Sequence, residues 1–334
     1  MVPAAVGSAI LAAARIAGNI AVSLKQGDVS VEGADVPVRP AGFALLELIV
    51  AGICNTDLEL QRGYYNFQGI PGHEFVARVI DCDSPLLLGK RVVGEINIAC
   101  GNCDFCRSDM HRHCRNRSVL GIRNHPGAFS RFFTLPERNL QVVPDNIADE
   151  EAVFVEPLAA ACEILDQIAL EPGTQVAVLG DGKLGLLIAQ VLLAHDLAVT
   201  LYGRHESKLA LARAAGTKAV SAGNLPEASY SCVVECSGSS DGLAAAIRMT
   251  RARGTVVMKS TVHANISIDM APVIVNEISL VGSRCGRFEA ALALLEKRRI
   301  SVLPMIHAQF PLSQAARAFE MAATRGVLKV LLRP

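Results

Sequence analysis

The chain contains no tryptophan, and aromatic residues make up 4% of its 334 positions. That scarcity speaks against base-stacking platforms and aromatic cages. Neither sign of charge is in surplus, since Lys and Arg total 32 and Asp and Glu total 32. A phosphate-neutralising surface needs a basic excess, so nucleic acid is not an expected partner. No uncharged apolar run reaches the roughly 18 residues that would cross a bilayer, so no membrane is expected either. There is no fixed-period repeat, no charged tail and no Gly/Ser linker. What is present is ample core material, with 51% hydrophobic and 19% charged residues. At about 150 residues per domain, the length suggests about two domains.

The N-terminal stretch from Met1 to Ala14 carries no charge. No basic residue precedes it and Arg15 interrupts it, so it reads as a short extension rather than a signal peptide. Ten cysteines stand out. Four of them are clustered and the rest scattered, unlike a short secreted disulfide framework. Clustered thiols point to metal and to a reducing compartment, the cytoplasm.

Residues 12 to 150 read as short β runs at 20–24, 29–31, 44–50, 75–80 and 91–98, broken by glycine and proline. Such a pattern suggests a barrel-like or sandwich module. An apolar, Ala-rich helix is expected from Asp149 to about residue 170. Strand patterns at 175–179, 198–202, 230–235 and 254–259 then alternate with helical patterns at 184–194, 208–215 and 242–250. This alternation predicts a parallel, doubly wound sheet with helices on both faces. Two helical patterns, 288–297 and 313–323, and a strand at 328–332 close the chain.

Gly180-Asp181-Gly182-Lys183-Leu184-Gly185 fits G-x-G-x-x-G between a strand and a helix. The first glycine permits the tight turn, the second lets a pyrophosphate approach, and the third lets helix and strand pack. The helix start, at Lys183 and Leu184, offers unpaired N–H groups to phosphate. The position after the second strand that carries an acid in NAD-binding proteins is Gly203. Without that carboxylate, Arg204 can grip a 2′-phosphate, with His205 and Lys208 adding positive charge. NADP(H) is therefore expected over NAD(H). In the alternative, Arg204 is a solvated charge and Glu206 bonds a ribose.

Cys100, Cys103, Cys106 and Cys114 place four soft ligands in one short loop, a set that can wrap a structural zinc. In an iron–sulfur run the fourth cysteine follows three residues after the third and precedes proline; here Cys114 comes later and Arg115 follows it. His111 and His113 are possible substitutes for Cys114. Cys54, His73, Glu74 and Glu156 are dispersed, and spacing alone does not show that they converge.

Together these motifs resemble the zinc-containing medium-chain dehydrogenase/reductase family of alcohol, sorbitol and threonine dehydrogenases. The matching stretches are Gly52-Ile53-Cys54-Asn55-Thr56-Asp57, Gly72-His73-Glu74, the four-cysteine segment, Glu156-Pro157-Leu158 and Gly180 to Gly185. They stand in family order, and the likeness runs from about residue 12 to the end.

The resemblance implies an α/β protein with a GroES-like β catalytic domain over residues 1–154, including the four-cysteine lobe. It implies a Rossmann domain over 155–287 and a return of 288–334 to the catalytic domain. Two zinc ions follow, one structural and one catalytic. The catalytic ion would be held by Cys54, His73 and Glu74, with Glu156 binding it directly or through water. Asp57 would accept a hydrogen bond from His73 and fix its tautomer. Zinc would polarise a substrate oxygen, hydride would pass to or from the nicotinamide, and Thr56 would relay the proton. Ser237, Ser283 and Arg284 correspond to cofactor-contacting stretches, and Lys329 to a residue near the cofactor phosphates. Glu59 stands where the polyol and threonine branch often has histidine. Tyr64, Tyr65 and Phe67 could wall a pocket. Cys82, Cys162, Cys232, Cys236 and Cys285 read as small buried hydrophobes.

The expected activity is zinc-dependent hydride transfer between NADP(H) and an alcohol, aldehyde or ketone. The alternative substrate class is a polyol or amino alcohol. A non-catalytic dinucleotide-binding protein would have no need of Cys54, His73, Glu74 and Thr56. A small-molecule alcohol or carbonyl substrate and a homodimer or homotetramer complete the expectation.

Overall fold

A computed structural model describes residues 18–261 and 267–334. The N-terminal extension lies outside the described residues. Contacts divide the chain into two units, Met1–Glu156 with Ile306–Pro334, and Pro157–Met305. The helix Phe288–Glu296 thus stays with the second unit.

The first unit grows around β3 (Phe43–Gly52), whose sequence FALLELIVAG is almost wholly buried. It pairs antiparallel with β4 (Glu74–Asp81), β8 (Phe132–Pro136) and β17 (Lys329–Arg333). The sheet extends from β4 through β5 (Arg91–Gly94) to β9 (Leu140–Val142), and from β17 to β16 (Ile306–Pro311). The last strand therefore joins a sheet begun near residue 43. β1 (Asn19–Lys25) and β2 (Asp28–Ala34) form a hairpin. Its two-residue turn, Gln26-Gly27, has φ of 52° and 90°, the left-handed pair that matches strand twist. Phe75 and Phe133 pack edge to face at 4.9 Å, a geometry worth about 1 kcal/mol beyond the area it buries.

The run at 91–98 is two strands rather than one. β5 stops at Gly94, where an added Cβ would lie 2.4 Å from the Leu135 side chain. β6 (Asn97–Ile98) pairs with β7 (Ser118–Val119) in a separate small sheet. The expected helix from 149 also divides, into Asp149–Ala152 and Val155–Gln167. Val153 and Phe154, at the break, are both buried.

The second unit is a six-stranded sheet of β10 (Gln175–Leu179), β11 (Ala198–Gly203), β12 (Lys218–Ser221), β13 (Tyr230–Glu235), β14 (Thr250–Met258) and β15 (Ser279–Gly282). Every pairing is parallel, and the spatial order is β12-β11-β10-β13-β14-β15. That is the 3-2-1-4-5-6 order of the Rossmann fold. Parallel strands covered on both faces require continuous apolar runs, and Val176, Ala177, Val178, Val233 and Val234 have no exposed surface. Two polar atoms of this core satisfy each other, the Tyr202 and Tyr230 hydroxyls lying 2.8 Å apart.

Candidate active site and metal centres

The antiparallel register sets Gly52, the last residue of β3, opposite Glu74, the first of β4. A helix, Asn55–Gln61, starts three residues later with Cys54 as its N-cap. Residues about twenty positions apart in sequence thereby meet. One ligand atom each from Cys54, His73 and Glu74 lies within 4.8 Å of the others. His73 and Glu74 are buried, and Asp57 has no exposed surface.

Asp57 organises this cluster through the backbone. Its Oδ2 accepts from the Cys54 N–H at 2.8 Å and its Oδ1 from the Gly72 N–H at 3.2 Å. His73 Nδ1 stands 3.3 Å from Asp57 Oδ1, but it makes no aligned hydrogen bond. The expected bond between these side chains is thus a close approach. Burial disfavours the imidazolium, yet Asp57 and Cys54 outweigh it and raise the His73 pKa in the absence of a cation. A half-buried thiol beside a buried imidazole and carboxylate is a donor set suited to zinc, and a bound cation would compete for the same electron pairs.

Lys329, expected near cofactor phosphates, is instead buried against Glu74, and both residues are 1% exposed. Its Nζ also lies 5.4 Å from the centre of the Phe154 ring. Burial pulls the ammonium toward neutrality, but Glu74 reverses the shift and keeps it charged. Gly52 makes room for the pair: an added Cβ would sit 2.6 Å from Glu74 Oε2 and 3.2 Å from Lys329 Cδ. A lone lysine in the apolar run Leu328 to Leu332 was the available sign of a buried counterion.

Thr56 Oγ1 lies 3.8 Å from Cys54 Sγ. Glu59 pairs with Arg62 at 2.6 Å on its own helix. Glu156 lies outside the Cys54, His73 and Glu74 group.

The four-cysteine loop closes on itself. Sulfur–sulfur distances are 3.5 Å for Cys103–Cys106 and Cys100–Cys114, 3.7 Å for Cys103–Cys114 and 4.0 Å for Cys100–Cys106. A regular tetrahedron with Zn–S of about 2.3 Å has edges of about 3.8 Å, so the loop fits that ion. The backbone around Asn102 lowers the Cys100 pKa to about 6, and Cys100 N donates to Cys114 Sγ at 3.3 Å. His111 instead faces Asp109. Of the remaining cysteines, Cys162 and Cys232 are buried, whereas Cys82, Cys236 and Cys285 are half-buried.

In the second unit, the glycine-rich turn links β10 to the helix Lys183–Ala194. An added Cβ at Gly180 would come within 2.6 Å of Cys236 O, and one at Gly185 within 2.0 Å of Gly180 O. Gly182 faces open space, with nothing within 4 Å of its Cβ position. It is also the helix N-cap and has no side-chain cap. That leaves the cradle a pyrophosphate needs. Gly203 ends β11, Arg204 after it is exposed, and His205 and Lys208 are half-buried. Glu206 is exposed and pairs with Arg213. Ser237 Oγ donates to Glu235 at 2.6 Å. Ser283 Oγ and the Arg284 carbonyl both accept from Lys259 Nζ. Asp181, read from the sequence only as a variable motif position, reaches β11's end and accepts from two backbone N–H groups there.

Two family models match, the alcohol dehydrogenase GroES-like domain over residues 40–145 and the zinc-binding dehydrogenase over 184–297. The chain is 26% identical to a sorbitol dehydrogenase of Halalkalibacterium halodurans, over 85% of this chain and 89% of the relative. It is 27% identical to D-arabinitol dehydrogenase 1 of Uromyces fabae, over 93% and 95%. A Sinorhizobium meliloti protein described as a zinc-binding dehydrogenase, solved with NADP bound, superposes with a TM-score of 0.87 at 27% identity, over 95% and 99%. Fold and site thus define a zinc-binding, nicotinamide-dependent oxidoreductase of the alcohol dehydrogenase type. The chain belongs to the zinc-type medium-chain dehydrogenase/reductase family. No helix among the described residues is long and apolar enough to cross a membrane.

Proposed function

We propose that the protein transfers hydride between NADP(H) and an alcohol, aldehyde or ketone, using one catalytic and one structural zinc. The observation that carries the reading is the convergence of Cys54, His73 and Glu74 in a chain that also builds a dinucleotide cradle. When bound, zinc supplies Lewis acidity toward a substrate oxygen and the nicotinamide supplies or accepts hydride. Cys54, His73 and Glu74 hold the metal, and Glu156 reaches it directly or through water. Asp57 fixes the Cys54 and Gly72 backbone. The Thr56 hydroxyl moves the proton that hydride transfer leaves behind. Cys100, Cys103, Cys106 and Cys114 hold the second ion. The β sheet of residues 1–154, rejoined by the tail, serves as the catalytic domain, and the Rossmann unit binds the dinucleotide at Gly180, Gly182, Lys183, Leu184 and Gly185. Ser237, Ser283 and Arg284 complete the cofactor contacts.

Metal analysis is expected to find two zinc ions per chain, and Cys106→Ser should lose one while the Cys54 centre stays loaded. Two ions retained in Cys106→Ser, or a parent with one ion that the substitution leaves in place, would remove the structural assignment. The missing acid at Gly203 and the exposed Arg204 support NADP(H). Arg204→Ala should reduce the NADPH-to-NADH ratio of kcat/KM by about tenfold to a hundredfold, the effect of losing a charge-assisted phosphate contact. An unchanged ratio would defeat the phosphate grip. A second substrate reading, polyols, is favoured by the sorbitol and arabinitol dehydrogenases among the relatives. A panel of simple alcohols, aldehydes and polyols with both cofactors separates the two. The reading also includes a homodimer or homotetramer, which light scattering would measure, and the cytoplasm, where thiol ligands stay reduced.

A further inference from the structure

Asp181 is 7% exposed, and its carboxylate is turned to the segment after β11. Its Oδ2 accepts the Arg204 N–H at 2.8 Å and the His205 N–H at 2.7 Å. His205 Nδ1 lies 3.0 Å from Oδ2 and 3.1 Å from Oδ1. Two successive backbone N–H groups directed at one acceptor form a small anion-binding concavity. Here the chain fills it with its own carboxylate. The same carboxylate faces the start of the helix Glu206–Ala214, whose N-cap, His205, has no side-chain cap. A negative charge is favourable there.

Gly203 belongs to this arrangement. An added Cβ would lie 2.5 Å from Asp181 Cβ and 2.7 Å from its Oδ2. The missing acid at the end of β11 and the acid inside the glycine-rich turn are therefore one packing solution. A phosphate arriving at β11 finds the Arg204 and His205 N–H groups already taken. Side chains must grip it, and Arg204 is the exposed one.

We infer that Asp181 is the positioning residue for 2′-phosphate recognition, tying the Arg204–His205 backbone to the pyrophosphate-binding turn so that the Arg204 guanidinium starts from a fixed base. This rests on the NADP(H) reading above. The gain comes from preorganisation: a guanidinium on an anchored backbone loses less freedom when it closes on phosphate. Burial would raise the Asp181 pKa, but the His205 and Arg204 hydrogen bonds outweigh it, so the latch stays ionised.

Dissociation constants for NADPH and NADH, read from nicotinamide fluorescence on the zinc-loaded protein, test the inference. Asp181→Ala removes both charge and acceptor. It is expected to weaken NADPH about tenfold and NADH less than about threefold. Asp181→Asn keeps an oxygen for the two N–H groups and should hold both cofactors within about threefold of the parent. In an Arg204→Ala background, Asp181→Ala should cost NADPH nothing further, because the latch acts through Arg204. Tighter NADPH binding in either single variant would overturn the inference, since the carboxylate would then be repelling phosphate. Equal loss of both cofactors in Asp181→Ala would also overturn it, by showing a general support of the turn. If the alanine variant fails to fold, Asp181→Ser carries the same expectation, because its shorter side chain does not bring the hydroxyl to the two N–H groups that Oδ2 accepts. Should Arg204→Ala shift cofactor preference while Asp181→Ala does not, the inference fails and the NADP(H) reading stands. Should Arg204→Ala shift nothing, the NADP(H) reading itself fails.

Discussion

Replacing Cys54 with serine is expected to lower kcat by at least about a thousandfold while the four-cysteine centre stays loaded. Cys54 supplies the one thiolate in its cluster, beside His73 and Glu74. A serine hydroxyl is a poor substitute for a soft, charged sulfur. The change is small in volume, and Cys54 is only half-buried, so packing should survive. Asp57 would still accept from the residue 54 N–H, because that bond uses backbone. The loss should therefore appear as chemistry and metal content rather than as unfolding. Zinc per chain should fall from two to one with the melting temperature close to the parent's. Retention of both ions with turnover within tenfold would show that Cys54 is not a ligand that matters.

Lys329→Met should destabilise the metal-free protein by about 3–5 kcal/mol, the usual result of leaving a buried charge without its partner. Methionine matches the length of the lysine stem and can still pack near Phe154, so volume is a minor part of the loss. What remains is the Glu74 carboxylate at 1% exposure with no ammonium beside it. A divalent cation beside Glu74 would offset part of that charge. The deficit should therefore be smaller in the zinc-loaded protein, and urea unfolding with and without chelator measures the difference. The double variant Lys329→Met with Glu74→Gln should recover much of the loss, because no uncompensated charge is then buried. Equal destabilisation in single and double variants would mean that Lys329 acts through packing.

Much of the chemistry was legible because it lies in short, local patterns. The glycine-rich turn between β10 and its helix and the four-cysteine spacing each carry their reason within a few residues, whereas Cys54, His73 and Glu74 are joined in the sequence only by the family resemblance. Alternating strands and helices also announced a parallel sheet, whereas its strand order depends on contacts far apart in sequence. The break after Gly94 is of the same kind, since Leu135 presses on it from forty residues away. Lys329 and Asp181 escaped for a related reason. Lys329 is one polar residue in an apolar strand and Asp181 fills a variable position of the glycine motif, and the partner of each is set by which strand end lies beside which turn. The Glu74 pairing follows from β17 lying next to β3, a placement that no local pattern specifies.

The pairing of Glu74 with Lys329 spans 255 positions of sequence. During synthesis the glutamate leaves the ribosome first, and at 5–20 residues per second its counterion follows on the order of tens of seconds later. Throughout that interval the nascent chain holds a carboxylate, a thiol and an imidazole with no lysine to balance them. Charge balance at this centre is thus reached only once the segment carrying Lys329 has been made, and a chain that stops short of that strand lacks it.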